Sequence, residues 1–201
     1  MHTNKATSDR DTISLNNRAK SDQKRAIRSS IASWTIVLVS SYLAVYHLPI
    51  PTPATPSLFN RFIFTSRLLV FAVLPIAFGI FAIMHSRFNN MAAMGSNPVN
   101  AKGSYMLSMV QRYLLNTMEQ TMMFVILQVT LSTLLSAEGM ALIPMYVFLF
   151  VVSRFLFFVG YMDAERPVNR AFGYTMTLAV NVYSIFMCLF LLATKSLTFE
   201  L

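Results

Sequence analysis

YMLSMVQRYLLNTMEQTMMFVILQVTLSTLL, residues 105–135, is a continuous helical pattern, apolar in its second half and polar in its first. It exceeds the roughly 20 residues that carry an α-helix across a hydrocarbon layer. Arg112, Asn116 and Glu119 follow i, i+4, i+7 within it, so at about 100° per residue they share an arc of roughly 60°. Tyr105, Ser108 and Thr130 extend the stripe. The stretch reads as a membrane helix with one polar face, and ionisable groups on such a face need partners.

Four further apolar stretches of spanning length flank it: Ile31–Leu48 and Phe62–Met84 before, Leu142–Met162 and Ala171–Thr194 after. Phe62–Met84 admits Arg67, near enough to one end to snorkel, and Pro75, which a membrane helix tolerates with a kink. The prolines from Pro49 to Pro56 exclude helix and predict a short stiff connector. Residues 1–29 are polar and aperiodic, which predicts a disordered tail, too long a polar lead for a cleavable signal peptide. The expected organisation is a basic cytosolic tail over 1–29, an added N-terminal transmembrane helix over 30–48, a connector over 49–61 and a four-helix transmembrane domain over 62–201. The fold class is all-α and integral to the membrane, with five spans.

Composition agrees. The chain of 201 residues is 55% apolar and 12% charged, with a mean hydropathy of +0.55, which excludes an ordinary soluble domain. Its net charge of +8 is concentrated, with seven of sixteen basic residues in the first 28 positions beside an apolar segment. That placement marks topology and gives no nucleic-acid footprint. Counted by alternate sides, eleven Lys and Arg fall with the tail and three (Arg61, Arg67, Lys195) on the opposite side, which puts the N-terminus in the cytosol. Cys188, the single cysteine, excludes an intrachain disulfide, and no metal site is expected, since the fourteen methionines have no Cys or His cluster beside them. Trp34, Tyr42 and Tyr46 bracket the first span as interface anchors. There is no Gly-rich phosphate loop, nucleophile elbow or paired-carboxylate site, and no transporter-like repeat.

A second polar stripe lies on the last span, where Arg170, Tyr174, Thr177 and Asn181 follow i, i+4, i+7, i+11. Counting about 20 residues along each helix from its far end puts Asn116, Glu119, Tyr161, Arg170 and Tyr174 at one depth, the cytosolic edge of the hydrocarbon. Arg154 is about 10 Å deeper on the Tyr161 face. Four arginines (Arg112, Arg154, Arg166, Arg170) face one glutamate, a surplus of positive charge that suits an anion. The alternative is a structural network in which Arg112 or Arg154 neutralises Glu119 and the remaining groups tie helices together.

The string Arg112-Tyr-Leu-Leu-Asn116-Thr-Met-Glu119 resembles the R-x-x-x-N-x-x-E signature of the MAPEG family, the membrane-associated proteins of eicosanoid and glutathione metabolism. The series Arg154, Tyr161, Arg166, Arg170, Tyr174 is similar to that family's third-to-fourth-helix region, and the likeness covers residues 66–194. With its added first helix and Asn116-to-Gln120 string, the chain looks most like the five-span mattrin-type branch. The resemblance implies a homotrimer of four-helix bundles with glutathione held near the cytosolic face between neighbouring subunits. It implies that Asn116 and Glu119 hold the ligand's backbone and amine, that Tyr161, Arg166, Arg170 and Tyr174 meet its carboxylates and thiol, that Arg112 supports them, and that Arg170 is the catalytic type of arginine. Several arginines and one glutamate suit the two carboxylates and one ammonium of glutathione.

Departures from the family pattern are Leu115, Phe157, Ala171 and Leu178, where polar or basic groups stand in family members. Each removes a hydrogen-bond partner, at roughly 0.5–1.5 kcal/mol apiece. Two functions follow as expectations. One is a glutathione- or thiol-binding protein with transferase or peroxidase chemistry on a lipophilic substrate. The other is a non-catalytic regulator of membrane trafficking or of a client membrane protein, its site vestigial or lipid-binding. Either is expected in an endomembrane, in the ER, Golgi or lysosome, rather than in the plasma membrane.

Overall fold

The computed structural model describes residues 3–50, 52, 57–89, 105–162 and 167–195. Five α-helices account for nearly all of them: α1 Thr3–Tyr46, α2 Leu58–Asn89, α3 Tyr105–Leu134, α4 Leu142–Met162 and α5 Ala171–Lys195. One-turn 3₁₀ segments at Glu138–Ala141 and Pro167–Arg170 lead into α4 and α5. Among them, α1 from Asn16 onward, α2, α4 and α5 are long and apolar enough to cross a membrane. α3, diluted by Gln111, Arg112, Asn116, Glu119 and Gln120, packs against α2, α4 and α5.

The N-terminus departs from the sequence expectation, because α1 is helical from Thr3 where a disordered tail to residue 29 is predicted. Residues 3–29 contain no glycine or proline, and a docked membrane helix supplies the costly nucleus from which further turns propagate. α1 ends where the prolines begin, with the amides of His47 and Leu48 donating to the Leu43 carbonyl at 3.0 and 2.8 Å. α2 likewise starts before the expected residue 62. Ser57 Oγ accepts the Asn60 amide at 3.3 Å as an N-cap, so Arg61 lies inside the helix and reaches the Leu135 carbonyl.

Two interlocked pairs, α2 with α3 and α4 with α5, form the bundle, and α1 lies along α5 and α4. At the centre Phe124 of α3 stacks on Phe150 of α4, with ring centroids 4.2 Å apart, surrounded by Leu131, Ile143, Tyr146, Val180 and the buried Val37 of α1. Hydrogen bonds tie the helices: Gln128 Nε2 donates to Ser184 Oγ at 3.2 Å, and Asn181 Nδ2 to Gln120 Oε1 at 2.9 Å. Lipid offers little hydrophobic drive between helices, so such bonds and close packing hold the bundle. The outer surface is apolar, with Phe71, Phe81, Phe148, Val159 and Phe190 exposed, as a lipid-facing surface requires.

Candidate functional site

Two glycines set the geometry where α4 ends and α5 begins. A Cβ on Gly173 of α5 would collide with the Phe157 amide nitrogen and lie 2.7 Å from both Phe157 Cα and Ser153 O. One on Gly160 of α4 would lie 2.6 Å from Arg170 Cα, Arg170 N and Asn169 O. Only hydrogen fits at either place, so α4 and α5 touch backbone to backbone. This contact brings Tyr161 beneath Arg170, whose Cζ stands 4.8 Å from the Tyr161 ring centroid, a cation–π contact that orients the guanidinium. Phe157 sits between Tyr161 and Tyr174, its centroid 5.2 and 6.1 Å from theirs.

The second determinant is Arg154, which is wholly buried. Its Nε donates to Thr177 Oγ1 at 2.9 Å and its Nη1 to Asn116 Oδ1 at 3.0 Å, while its Cζ lies 4.7 Å from the Phe157 centroid. Thr177 is held in turn by Ser153 Oγ at 2.7 Å and donates to the Gly173 carbonyl at 3.0 Å. Arg154 therefore spans three helices through neutral oxygens, and its Nη2 is buried with no partner among the described residues. A buried cation so arranged stiffens the site and fixes the Asn116 amide with its oxygen toward α4.

Asp22, Asn116, Phe157, Tyr161, Val168, Arg170, Ala171 and Tyr174 line a cavity of about 490 Å³ at this end of the bundle. Such a volume lies within the range of small-molecule pockets, roughly 300–1,000 Å³. One guanidinium, one carboxylate, one amide and two phenols converge on it over an apolar floor. The arrangement can hold a small polar ligand, orient its anionic end through a planar guanidinium fork, and favour the anionic form of an acidic group brought beside Arg170.

Of the residues singled out in the sequence, Asn116, Tyr161, Arg170 and Tyr174 come together around this cavity. Arg112 and Glu119 do not: both are exposed on the outer side of α3, in a stripe with Leu115, Met118 and Met122. Arg166 lies outside the described residues. The ion pair considered between Glu119 and Arg154 is replaced by the bond from Arg154 to Asn116. The α3 stripe explains the difference, because Asn116 lies at its edge nearest α4 whereas Glu119 points away from the bundle. Sequence reasoning missed Asp22, since a tail read as disordered assigns it no face. Once helical, α1 shows the signal, for Asp22, Ala26, Ser29 and Ser33 follow i, i+4, i+7, i+11 on the side that meets α5.

Comparison with known proteins follows the same lines. The family model described as MAPEG family matches residues 62–190. Transmembrane protein 79 of Mus musculus is 28% identical over 170 residues, covering 81% of this chain and 41% of that protein. Transmembrane protein 79 of Bos taurus is 30% identical over 157 residues, covering 76% of this chain and 37% of that protein. The chain thus spans about two-fifths of the length of these relatives, which agree with the mattrin-type branch. No solved structure matches it. α1 precedes the matched residues, while most of α2 and all of α3 and α4 fall within them together with α5 to Phe190, and by that match the chain belongs to the MAPEG family.

Proposed function

We propose that the cavity binds glutathione or a closely similar thiol peptide at the cytosolic edge of the membrane, with Arg170 as the catalytic type of residue toward a lipophilic substrate that enters from the bilayer. The observation that carries this reading is the convergence of Asn116, Tyr161, Arg170 and Tyr174 on one cavity of about 490 Å³. The residues present fit the ligand: Arg170 meets a carboxylate or sulfur anion, Asn116 meets peptide backbone, and the phenols donate to remaining acceptors. When bound, glutathione would supply the thiol. Arg170 stabilises negative charge brought beside it, and Tyr161 holds the guanidinium in place. The basic extension of α1, with Arg18, Lys20, Lys24, Arg25 and Arg28, leaves the bundle at the cavity end, which supports a cytosolic orientation there.

The homotrimer belongs to the same proposal. Arg112 and Glu119, exposed on a single chain near the membrane edge, are expensive unless a second copy covers them. Binding without turnover is the second reading, a regulator of another membrane protein or of trafficking in an endomembrane. It is favoured by Ala171 and Phe157, which put hydrocarbon on the cavity wall where polar groups would assist chemistry.

Melting of the detergent-solubilised protein tests the proposal. Millimolar glutathione should raise Tm in wild type and fail to do so in Arg170→Ala; a ligand at about 100 times its Kd stabilises by about 2.7 kcal/mol. No shift in wild type refutes it. Glutathione-dependent consumption of a generic electrophile by the purified protein separates catalysis from binding alone.

A further inference from the structure

The four family helices do not complete the cavity by themselves, because one wall comes from α1. That helix is pinned to α5 by Ser33 Oγ, 2.9 Å from Thr175 Oγ1, and to α4 by Ser41 Oγ, 3.0 Å from Tyr146 Oη, with Val37 wholly buried between these points. Eleven residues, about three turns or roughly 16 Å, separate Ser33 from Asp22. α1 thus runs past the first turn of α5, touches the Pro167–Arg170 segment, and brings Asp22 to the cavity. The family match begins only at residue 62, so this acid belongs to the added helix.

The lining pairs this carboxylate with the Arg170 guanidinium, and Asn116, Tyr161 and Tyr174 supply neutral polar groups. A wall that offers one negative and one positive side chain complements a ligand that carries both charges. Glu119, the acid to which the family likeness assigns the ligand's amine, is exposed outside this lining. We propose that Asp22 is a specificity-determining residue that receives the ammonium of a thiol peptide, such as that on the γ-glutamyl end of glutathione, while Arg170 keeps the thiol. The assignment rests on the thiol-peptide reading above and goes beyond it, for it gives the added helix a part in ligand selection. A ligand with the same anionic groups but no ammonium meets an unbalanced carboxylate and binds less tightly.

Calorimetric titration of the full chain in detergent tests this, with glutathione and its des-amino analogue, in which a glutaryl group replaces γ-glutamyl. Wild type should prefer glutathione about tenfold, the low end for a charge-assisted hydrogen bond at an exposed wall. Asp22→Asn should bring that ratio to about one by weakening glutathione, and Asp22→Lys should invert it. Glu138→Gln, the same change of charge at the opposite end of the bundle, should keep the tenfold preference. Equal binding of the two ligands by wild type, or an Asp22→Asn protein that keeps the preference or tightens glutathione, overturns the role of Asp22 and leaves the thiol-peptide site standing. A wild type that binds neither ligand overturns both.

Discussion

Replacing Gly160 by alanine sets two effects against each other, and the structure decides the sign. Glycine inside a helix costs roughly 0.5–1 kcal/mol relative to alanine, so in isolation the change stabilises α4. The new methyl would, however, lie 2.6 Å from Arg170 Cα, Arg170 N and Asn169 O, about 1 Å inside ordinary contact. All three are backbone atoms and cannot rotate away, so the Pro167–Arg170 turn must move off α4 by about that distance. Overpacking of this kind costs about 1–3 kcal/mol, leaving a net loss of up to about 2.5 kcal/mol. At about 2–4 °C per kcal/mol for a chain of this size, Tm should fall by up to about 10 °C. Arg170 moves with the turn, so glutathione affinity should fall about tenfold as well. Gly79→Ala is the comparison, for its methyl would meet side-chain atoms, Leu114 Cδ1 at 3.0 Å and Tyr113 Cε1 at 3.2 Å, rather than backbone. Melting curves and calorimetry on both variants, with circular dichroism to confirm helicity, provide the comparison. A Gly160→Ala protein that melts at or above the wild-type temperature with ligand affinity intact would refute the backbone contact between α4 and the turn.

Further consequences are as direct. Arg154→Met removes a buried charge whose two described hydrogen bonds go to neutral oxygens, so stability should change by less than about 1 kcal/mol. The glutathione-induced Tm shift should nevertheless drop by at least half, because Asn116 loses its anchor; an undiminished shift would count against that positioning role. Glu119→Gln should weaken self-association, seen as a loss of cross-linked trimers in native-like detergent, and an unchanged oligomer would mean that no neighbouring copy covers this carboxylate. Gln128→Met should be close to neutral in thermal melting, since Gln128 is fully buried with its Oε1 unpartnered among the described residues, whereas Gln128→Ala should cost about 2 kcal/mol or more through the cavity it leaves. Ser33→Leu should pry α1 from α5, lower Tm and speed protease cleavage within α1 before the remaining helices are cut, because Ser33 is fully buried 2.9 Å from Thr175.

Apolar runs of spanning length and the prolines between them were enough to read five helices, and the spans expected at Leu142–Met162, Ala171–Thr194 and Tyr105–Leu135 match α4, α5 and α3 to within a residue at each end. Hydrophobic length and helix-breaking residues are local properties, so they are visible in a string of letters. Helical period likewise brought Asn116, Tyr161, Arg170 and Tyr174 to one depth and one side. It could not tell which part of a polar stripe faces the bundle, because an arc of roughly 60° leaves room for Asn116 to turn inward while Glu119 stays outside. The rotation of α3 is set by packing against α4 and α5, through contacts such as Phe124 on Phe150 and Asn181 on Gln120. Reading the N-terminal tail as disordered hid Asp22, because composition reports what a segment can do alone, whereas α1 is extended from a docked membrane helix. Membrane class, span positions and the chemical character of the site were therefore properties of the sequence by itself. Which acid meets the cavity, and which oxygens hold Arg154, were decided only by the backbone contact at Gly160 and Gly173 and by the course of α1, since distances between separate helices follow from packing and leave no local mark in the chain.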